Sequence, residues 1–146
     1  MILNAGIVGL GRWGQILVKS INQSESKVLK FTHSYTRTIS KSKSFCKEYS
    51  LTTCNSYKEL INHPEIDIIV LASPHTQHYK QIKEAAKAHK HIFVEKPFTL
   101  TLSEAIEAIS ISKKSKIKIC AGFNRRFLQS FNYLKKVSST KTFGKK

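Results

Sequence analysis

Acidic side chains are scarce in this 146-residue chain: nine Asp and Glu stand against 25 Lys and Arg, a formal net charge of +16 at pH 7. Such a balance attracts polyanions, nucleic acid among them. Arginine, however, is nearly missing from the basic set, at Arg12, Arg37, Arg125 and Arg126 alone. The lysines are spread over every expected helix and loop. Their densest group, Lys113, Lys114, Lys116 and Lys118, falls at an expected helix C-terminus, where cations favour the dipole. Loose attraction to polyanions is expected, and no specific nucleic-acid partner. Long apolar runs are missing too: nothing approaches the ~18 residues of a membrane span, so no membrane partner is expected. The opening Met1-Ile2-Leu3-Asn4 has no basic region of a signal peptide. Cysteine is limited to Cys46, Cys54 and Cys120. That odd, widely spaced set without C-x-x-C argues against a disulfide framework or a metal site and fits the reducing cytoplasm. Repeats and low-complexity tracts are absent.

Glycine is also sparse, with six in the chain, but three of them cluster. Gly9, Gly11 and Gly14 form G-x-G-x-x-G within Gly9-Leu10-Gly11-Arg12-Trp13-Gly14. An apolar run ending in Ile7-Val8 precedes them, as a buried parallel strand requires. Trp13, Ile16, Leu17 and Ile21 follow at helical spacing. In a dinucleotide site the first glycine permits the turn, the second admits phosphate to the backbone, and the third lets helix pack on strand. The helix N-terminus then offers unpaired N–H groups to the anion. An ordinary strand-to-helix turn is the alternative; the flanking elements favour nucleotide binding.

Expected strands and helices alternate along the rest of the chain. Residues 28–36 read as a strand with Leu29, Phe31, His33 and Tyr35 on one face. A helix over 40–49 and a short strand at 51–54 follow. Ser56-Tyr57-Lys58-Glu59 is a capping box opening a helix that Asn62-His63-Pro64 stops. Residues 66–72 form the clearest buried strand, and 76–88 a helix with Ile82, Ala85 and Ala86 inward. His91-Ile92-Phe93-Val94 is the next strand. Thr101-Leu102-Ser103-Glu104 caps a helix to about Ser112, and 117–121 is the last strand. An amphipathic helix with Phe127, Phe131 and Leu134 on one face comes next, and 137–146 reads as a linker. Alternating βα units imply an α/β fold with a doubly wound parallel sheet. Ligands lie beyond the carboxyl ends of such strands. That rim would carry Gly9 to Gly14, Thr36-Arg37, Ser73 to His78, and Glu95-Lys96-Pro97.

Four motifs together resemble the Gfo/Idh/MocA family, which includes glucose–fructose oxidoreductase and inositol dehydrogenase. They are Gly-Leu-Gly-Arg-Trp-Gly at 9–14, Ala-Ser-Pro-His-Thr-Gln-His at 72–78, Val-Glu-Lys-Pro at 94–97 and Ala-Gly-Phe-Asn-Arg-Arg-Phe at 121–127. The resemblance covers essentially the whole chain. It implies a Rossmann domain over 1–123, with 124–146 as a linker helix and the start of a C-terminal α/β domain. In the family that further domain supplies the substrate floor and an Asp/His pair; here 142–146 resembles its entrance. The implied reaction is hydride transfer between NAD(P) and a sugar or polyol. The alternative is an inactive dinucleotide-binding fragment or the relic of a truncated gene. A partner chain or homo-oligomer could complete the site, and Phe123, Phe127 and Phe131 are expected to be exposed.

The resemblance makes Lys96 the catalytic candidate, since the lysine of Glu-Lys-Pro lies beside the nicotinamide in the family. An ammonium there stabilises a developing alkoxide and relays its proton. A solvated surface lysine is the bland alternative. Pro97 is a candidate for a cis bond that fixes the turn. The cofactor-binding set comprises Gly9, Leu10, Gly11, Arg12, Trp13, Gly14, Thr36, Arg37, Ser73, Pro74, His78, Glu95 and Lys96. His78 also reads as a packed core histidine, and Arg126 as an ion-pair partner. NAD-specific Rossmann proteins place Asp or Glu after the second strand to bond the ribose. Here no carboxylate occurs between Glu25 and Glu48, and Arg37 follows the strand. Arginine suits a 2′-phosphate, so NADP is preferred over NAD; a degenerate site with a solvated Arg37 is the other reading. Family members carry Asn where this chain has His75. They carry glycine, as a left-handed helix cap, where it has His89.

Overall fold

Short β-branched runs alternate with helix-spaced ones, and the computed structural model, which describes residues 2–25 and 28–140, follows that alternation. Its elements are β1 (Leu3–Val8), α1 (Arg12–Asn22), β2 (Leu29–Tyr35), α2 (Lys43–Glu48), β3 (Thr52–Thr53) and α3 (Tyr57–Asn62). They continue with β4 (Ile68–Leu71), α4 (His75–Lys87), β5 (His91–Val94), α5 (Leu102–Lys114), β6 (Ile119–Ala121) and α6 (Gln129–Ser138). Single 3-10 turns occupy Ile39–Ser42 and Asn124–Phe127. The strands form one sheet in the order β3-β2-β1-β4-β5-β6. Every pairing is parallel. This is the doubly wound Rossmann arrangement, with its switch point between β1 and β4.

Two apolar layers sandwich the sheet. On one face Ala5, Ile7 and Val70 pack with Val18 of α1 and with Phe45 and Cys46 of α2. On the other, Val8, Ile69 and Leu71 pack with Leu60 and Ile61 of α3 and with Ile82, Ala85 and Ala86 of α4. Ala108 of α5 joins that second layer. The capping box of α5 closes in both directions, Thr101 Oγ1 accepting from Glu104 N and Glu104 Oε2 from Thr101 N. At α3 only half of the expected box forms, since Ser56 Oγ accepts from Glu59 N but the Glu59 carboxylate accepts from Asn55 N instead of Ser56 N. Among the described residues no helix is long and apolar enough to cross a membrane.

Several local expectations are corrected. Leu29, Phe31, His33 and Tyr35 do not share a face. The β1–β2 register shifts, Ala5 opposing Phe31 but Gly6 opposing His33, so Thr32 is an extra residue and alternation inverts across it. Leu29 and Phe31 therefore pack on the α1/α2 layer, while Tyr35 packs on the α3/α4 layer. Of the residues at helical spacing in α1, Leu17 packs on the core beside buried Gly14 and Val18, whereas Trp13 and Ile16 are exposed. The expected helix over 40–49 divides into a 3-10 turn and α2. Phe127 is not on the same helix as Phe131 and Leu134, because extended backbone at Leu128 separates the 3-10 turn from α6. Helix continues to Ser138, beyond the start expected for the linker. The entrance expected at 142–146 lies outside the described residues.

Candidate dinucleotide site

The glycine turn joins β1 to α1 at the switch point, and each glycine has a separate physical reason. Gly9 has φ of +91°, and a Cβ there would lie 2.8 Å from the Ala72 carbonyl oxygen. A side chain would be strained and would also push the β1 and β4 turns apart. At Gly14 a Cβ would overlap the Gly9 carbonyl, so only hydrogen allows α1 to start against the turn. Gly11 differs: its φ is −69°, and a Cβ would meet nothing within 4 Å. The fold itself places no demand for glycine at position 11. The open space in front of it is the cradle that an approaching phosphate needs.

Gly11 is also the residue preceding α1, and no side chain caps that helix or places a carboxylate in its first turn. The first amides of α1 thus keep their donors and the positive dipole end for an anion. In front of them lies a cleft of about 850 Å3. Its lining includes Gly9, Leu10, Gly11, Arg12 and Trp13 from the first turn, Thr36 and Arg37 from the end of β2, and Ser73 and Pro74 from the end of β4. Nine of the expected binding residues therefore meet on one surface. The donor set and open space fit a dinucleotide pyrophosphate.

The other expected residues lie elsewhere. Gly14 is buried under the turn. His78 is buried completely, with Nδ1 2.9 Å from the Pro97 carbonyl and Nε2 3.0 Å from the Ser73 carbonyl. It links the β4 and β5 turns from beneath and does not line the cleft. Glu95 directly follows β5 and is buried against Gly122, where a Cβ would fall 2.8 Å from its carboxylate. Lys96 N donates to Glu95 Oε2 at 3.3 Å, while the Lys96 side chain is exposed and outside the cleft lining. The Lys96–Pro97 peptide is cis. Arg126 stacks over the Phe123 ring at 5.1 Å, with no ion pair among the described residues.

Sequence reasoning passed over Thr38, Ser42 and Gln81, which also line the cleft together with Lys41 and with Gln77 of the expected rim. Lys41 and Ser42 reach it because the 3-10 turn folds the segment after β2 back over the rim. Gln81 sits one turn after His78; it accepts from Ser73 Oγ through its side chain and from buried Tyr57 Oη through its carbonyl. Burial raises the Tyr57 phenol pKa, which keeps that donor protonated. No local pattern marked Gln81, because its place at the cleft depends on the tertiary bond to Ser73.

The match to known proteins agrees with this geometry. The model of the oxidoreductase family with an NAD-binding Rossmann fold, Gfo/Idh/MocA, matches residues 3–123. An uncharacterised oxidoreductase of Bacillus subtilis, YrbE, is 36% identical over 133 residues, 90% of this chain and 38% of that protein. Myo-inositol 2-dehydrogenase of Thermotoga maritima is 32% identical over 146 residues, covering 98% of this chain and 42% of its own length. The structure of scyllo-inositol dehydrogenase from Lactobacillus casei with bound NAD(H) and scyllo-inositol superposes with a TM-score of 0.89 at 27% identity. That superposition covers 99% of this chain and 43% of the dehydrogenase. The chain thus spans about two fifths of the relatives it matches. With the glycine cradle, the switch-point cleft and the family match in agreement, the chain belongs to the Gfo/Idh/MocA family of oxidoreductases as its NAD(P)-binding Rossmann domain.

Proposed function

We propose that this chain is the cofactor-binding half of an oxidoreductase that transfers hydride between NADP and a sugar or polyol. The observation that carries the reading is the glycine cradle, above all Gly11, whose missing side chain leaves space that no protein atom uses. The turn amides and α1 N-terminus hold the pyrophosphate, with Leu10, Arg12 and Trp13 along it. Thr36 and Arg37 meet the adenosine ribose. Among the described residues neither Arg37 nor Lys41 pairs with a carboxylate, so both cations are available to a 2′-phosphate, which supports NADP over NAD. Ser73 and Pro74 border the nicotinamide side. His78 fixes those turns by joining Ser73 to Pro97, and buried Glu95 positions the backbone of Lys96.

When bound, the oxidised nicotinamide accepts a hydride. Lys96, at the end of β5, stabilises negative charge on the substrate hydroxyl oxygen and relays its proton to solvent. Residues 1–123 form the Rossmann domain, and 124–146 lead toward a substrate domain or a partner chain that covers the substrate. Exposed Phe123, Phe127 and Phe131 support a covering surface there. The test is turnover of NADP+ with myo-inositol, scyllo-inositol and related polyols. Oxidation abolished by Lys96→Ala, with cofactor affinity kept, supports the assignment; oxidation unaffected by that change contradicts it. Cofactor binding without turnover on any polyol favours the alternative of a binding module.

A further inference from the structure

Away from the cleft, the fold brings together three side chains that no step of the hydride reaction uses. One potential ligand atom from each of His33, His63 and Glu65 lies within 4.8 Å of the other two. His33 belongs to β2 and is 6% exposed, His63 terminates α3, and Glu65 is exposed in the connection to β4. The two imidazole rings are 4.0 Å apart at their centroids and tilted by 43°. We propose that His33, His63 and Glu65 form a binding site for a divalent transition-metal ion of the zinc type.

Two imidazoles and one carboxylate make a borderline nitrogen–oxygen donor set, which zinc accepts with a water in the fourth position. Metal–ligand bonds of about 2.0–2.2 Å put tetrahedral donors about 3.4 Å apart, so closing the site needs a contraction on the order of 1 Å. Glu65 can supply it: its carboxylate makes no hydrogen bond or ion pair among the described residues. Outer contacts orient the rings. Thr32 Oγ1 lies 2.9 Å from His33 Nδ1, and when Nδ1 donates to it the other ring nitrogen carries the free lone pair. His63 Nδ1 accepts only a long contact, 3.4 Å, from Glu65 N. Lys90 is the opposing charge, its ammonium donating to the carbonyls of His63 at 2.9 Å and Ile66 at 2.7 Å. Asp67 is the carboxylate whose charge acts on that ammonium, and Glu65 brings a negative charge of its own to the donor set. A bound ion would cross-link β2 to the α3–β4 connection, a structural role.

The experiment is calorimetric titration of the 146-residue chain with Zn2+, and with Co2+ followed by absorption. The expected result is one ion per chain, a raised Tm, and a cobalt spectrum of nitrogen and oxygen ligands. His63→Ala and Glu65→Gln should each weaken binding at least tenfold and remove the Tm increase, with far-UV circular dichroism unchanged. Glu65 is exposed, so its variant keeps the test valid if His63→Ala misfolds. No stoichiometric binding, equal affinity in the variants, or a thiolate-to-cobalt band from the cysteines would overturn the proposal.

Discussion

Gly9, Gly11 and Gly14 share a motif but respond to different forces, and substitution separates them. At Gly9 and Gly14 an alanine Cβ collides with backbone, and at Gly9 it must also adopt a positive φ. Gly9→Ala should cost about 2–4 kcal/mol of stability, measured by urea denaturation. Gly11→Val should leave the Tm within a few degrees yet weaken dinucleotide binding at least tenfold, because its side chain enters only ligand space. A large loss of stability at Gly11 would show that the fold, not the ligand, requires glycine there. His33 gives a second residue-level prediction. Burial first, and then the facing His63, hold its pKa below the ordinary histidine value, against the opposing pull of Glu65 and Glu59. The unfolded chain therefore takes up that proton near pH 6.5 while the folded chain does not. His33 thus contributes a loss of stability as pH falls from about 6.5 toward its folded pKa, with no further loss below it. Urea midpoints between pH 5 and 7, measured with chelator present, should fall with pH, and His33→Gln should flatten the slope.

Three helices end in the same way without glycine. After α2, α4 and α5 the chain adopts left-handed backbone at Ser50, His89 and Lys116, with φ of 52°, 56° and 55°. In each, two backbone bonds close a Schellman motif; after α4 they are His89 N to Ala86 O and Lys90 N to Ala85 O. Glycine at these positions relieves the Cβ strain, partly offset by its greater unfolded entropy. Ser50→Gly, His89→Gly and Lys116→Gly should each raise stability by up to about 1 kcal/mol, read as higher urea midpoints; a decrease at all three would contradict the assignment of strain. The His89 conformation was legible from the sequence because it rested on helix periodicity and a family motif. So were the sheet, the helix caps at Ser56 and Thr101 and the glycine turn, which are local patterns of apolar period and side-chain chemistry. The Thr32 bulge was not legible, since Leu29, Phe31, His33 and Tyr35 alternate without a break and only pairing with β1 reveals the extra residue. Gln81 entered the cleft lining through a tertiary bond to Ser73, and Ser42 through a folded-back turn. The His33–His63 pair likewise depends on residues far apart in the chain.

At the scale of the molecule, apolar surface is unevenly distributed. Helix α6 buries none of its residues, and Phe127 is 83% exposed. Leu102, Ile106 and Ile109 add an exposed apolar stripe on α5. Patches of this kind promote association, so sedimentation velocity should show larger species as concentration rises. Phe127→Ser combined with Phe131→Ser should shift the population toward monomer, whereas a monomer at every concentration would argue against exposure of this face. The dinucleotide cleft has the only tryptophan of the chain, Trp13, at its wall. Trp13 is 41% exposed and reports directly on occupancy. Its fluorescence should therefore be followed during titration with NADPH and NADH. Saturable quenching by both is expected, several-fold tighter with NADPH, with the preference lost in Arg37→Ala and binding lost in Gly11→Val. No saturable response to either dinucleotide, or tighter binding of NADH, would contradict the NADP-binding site.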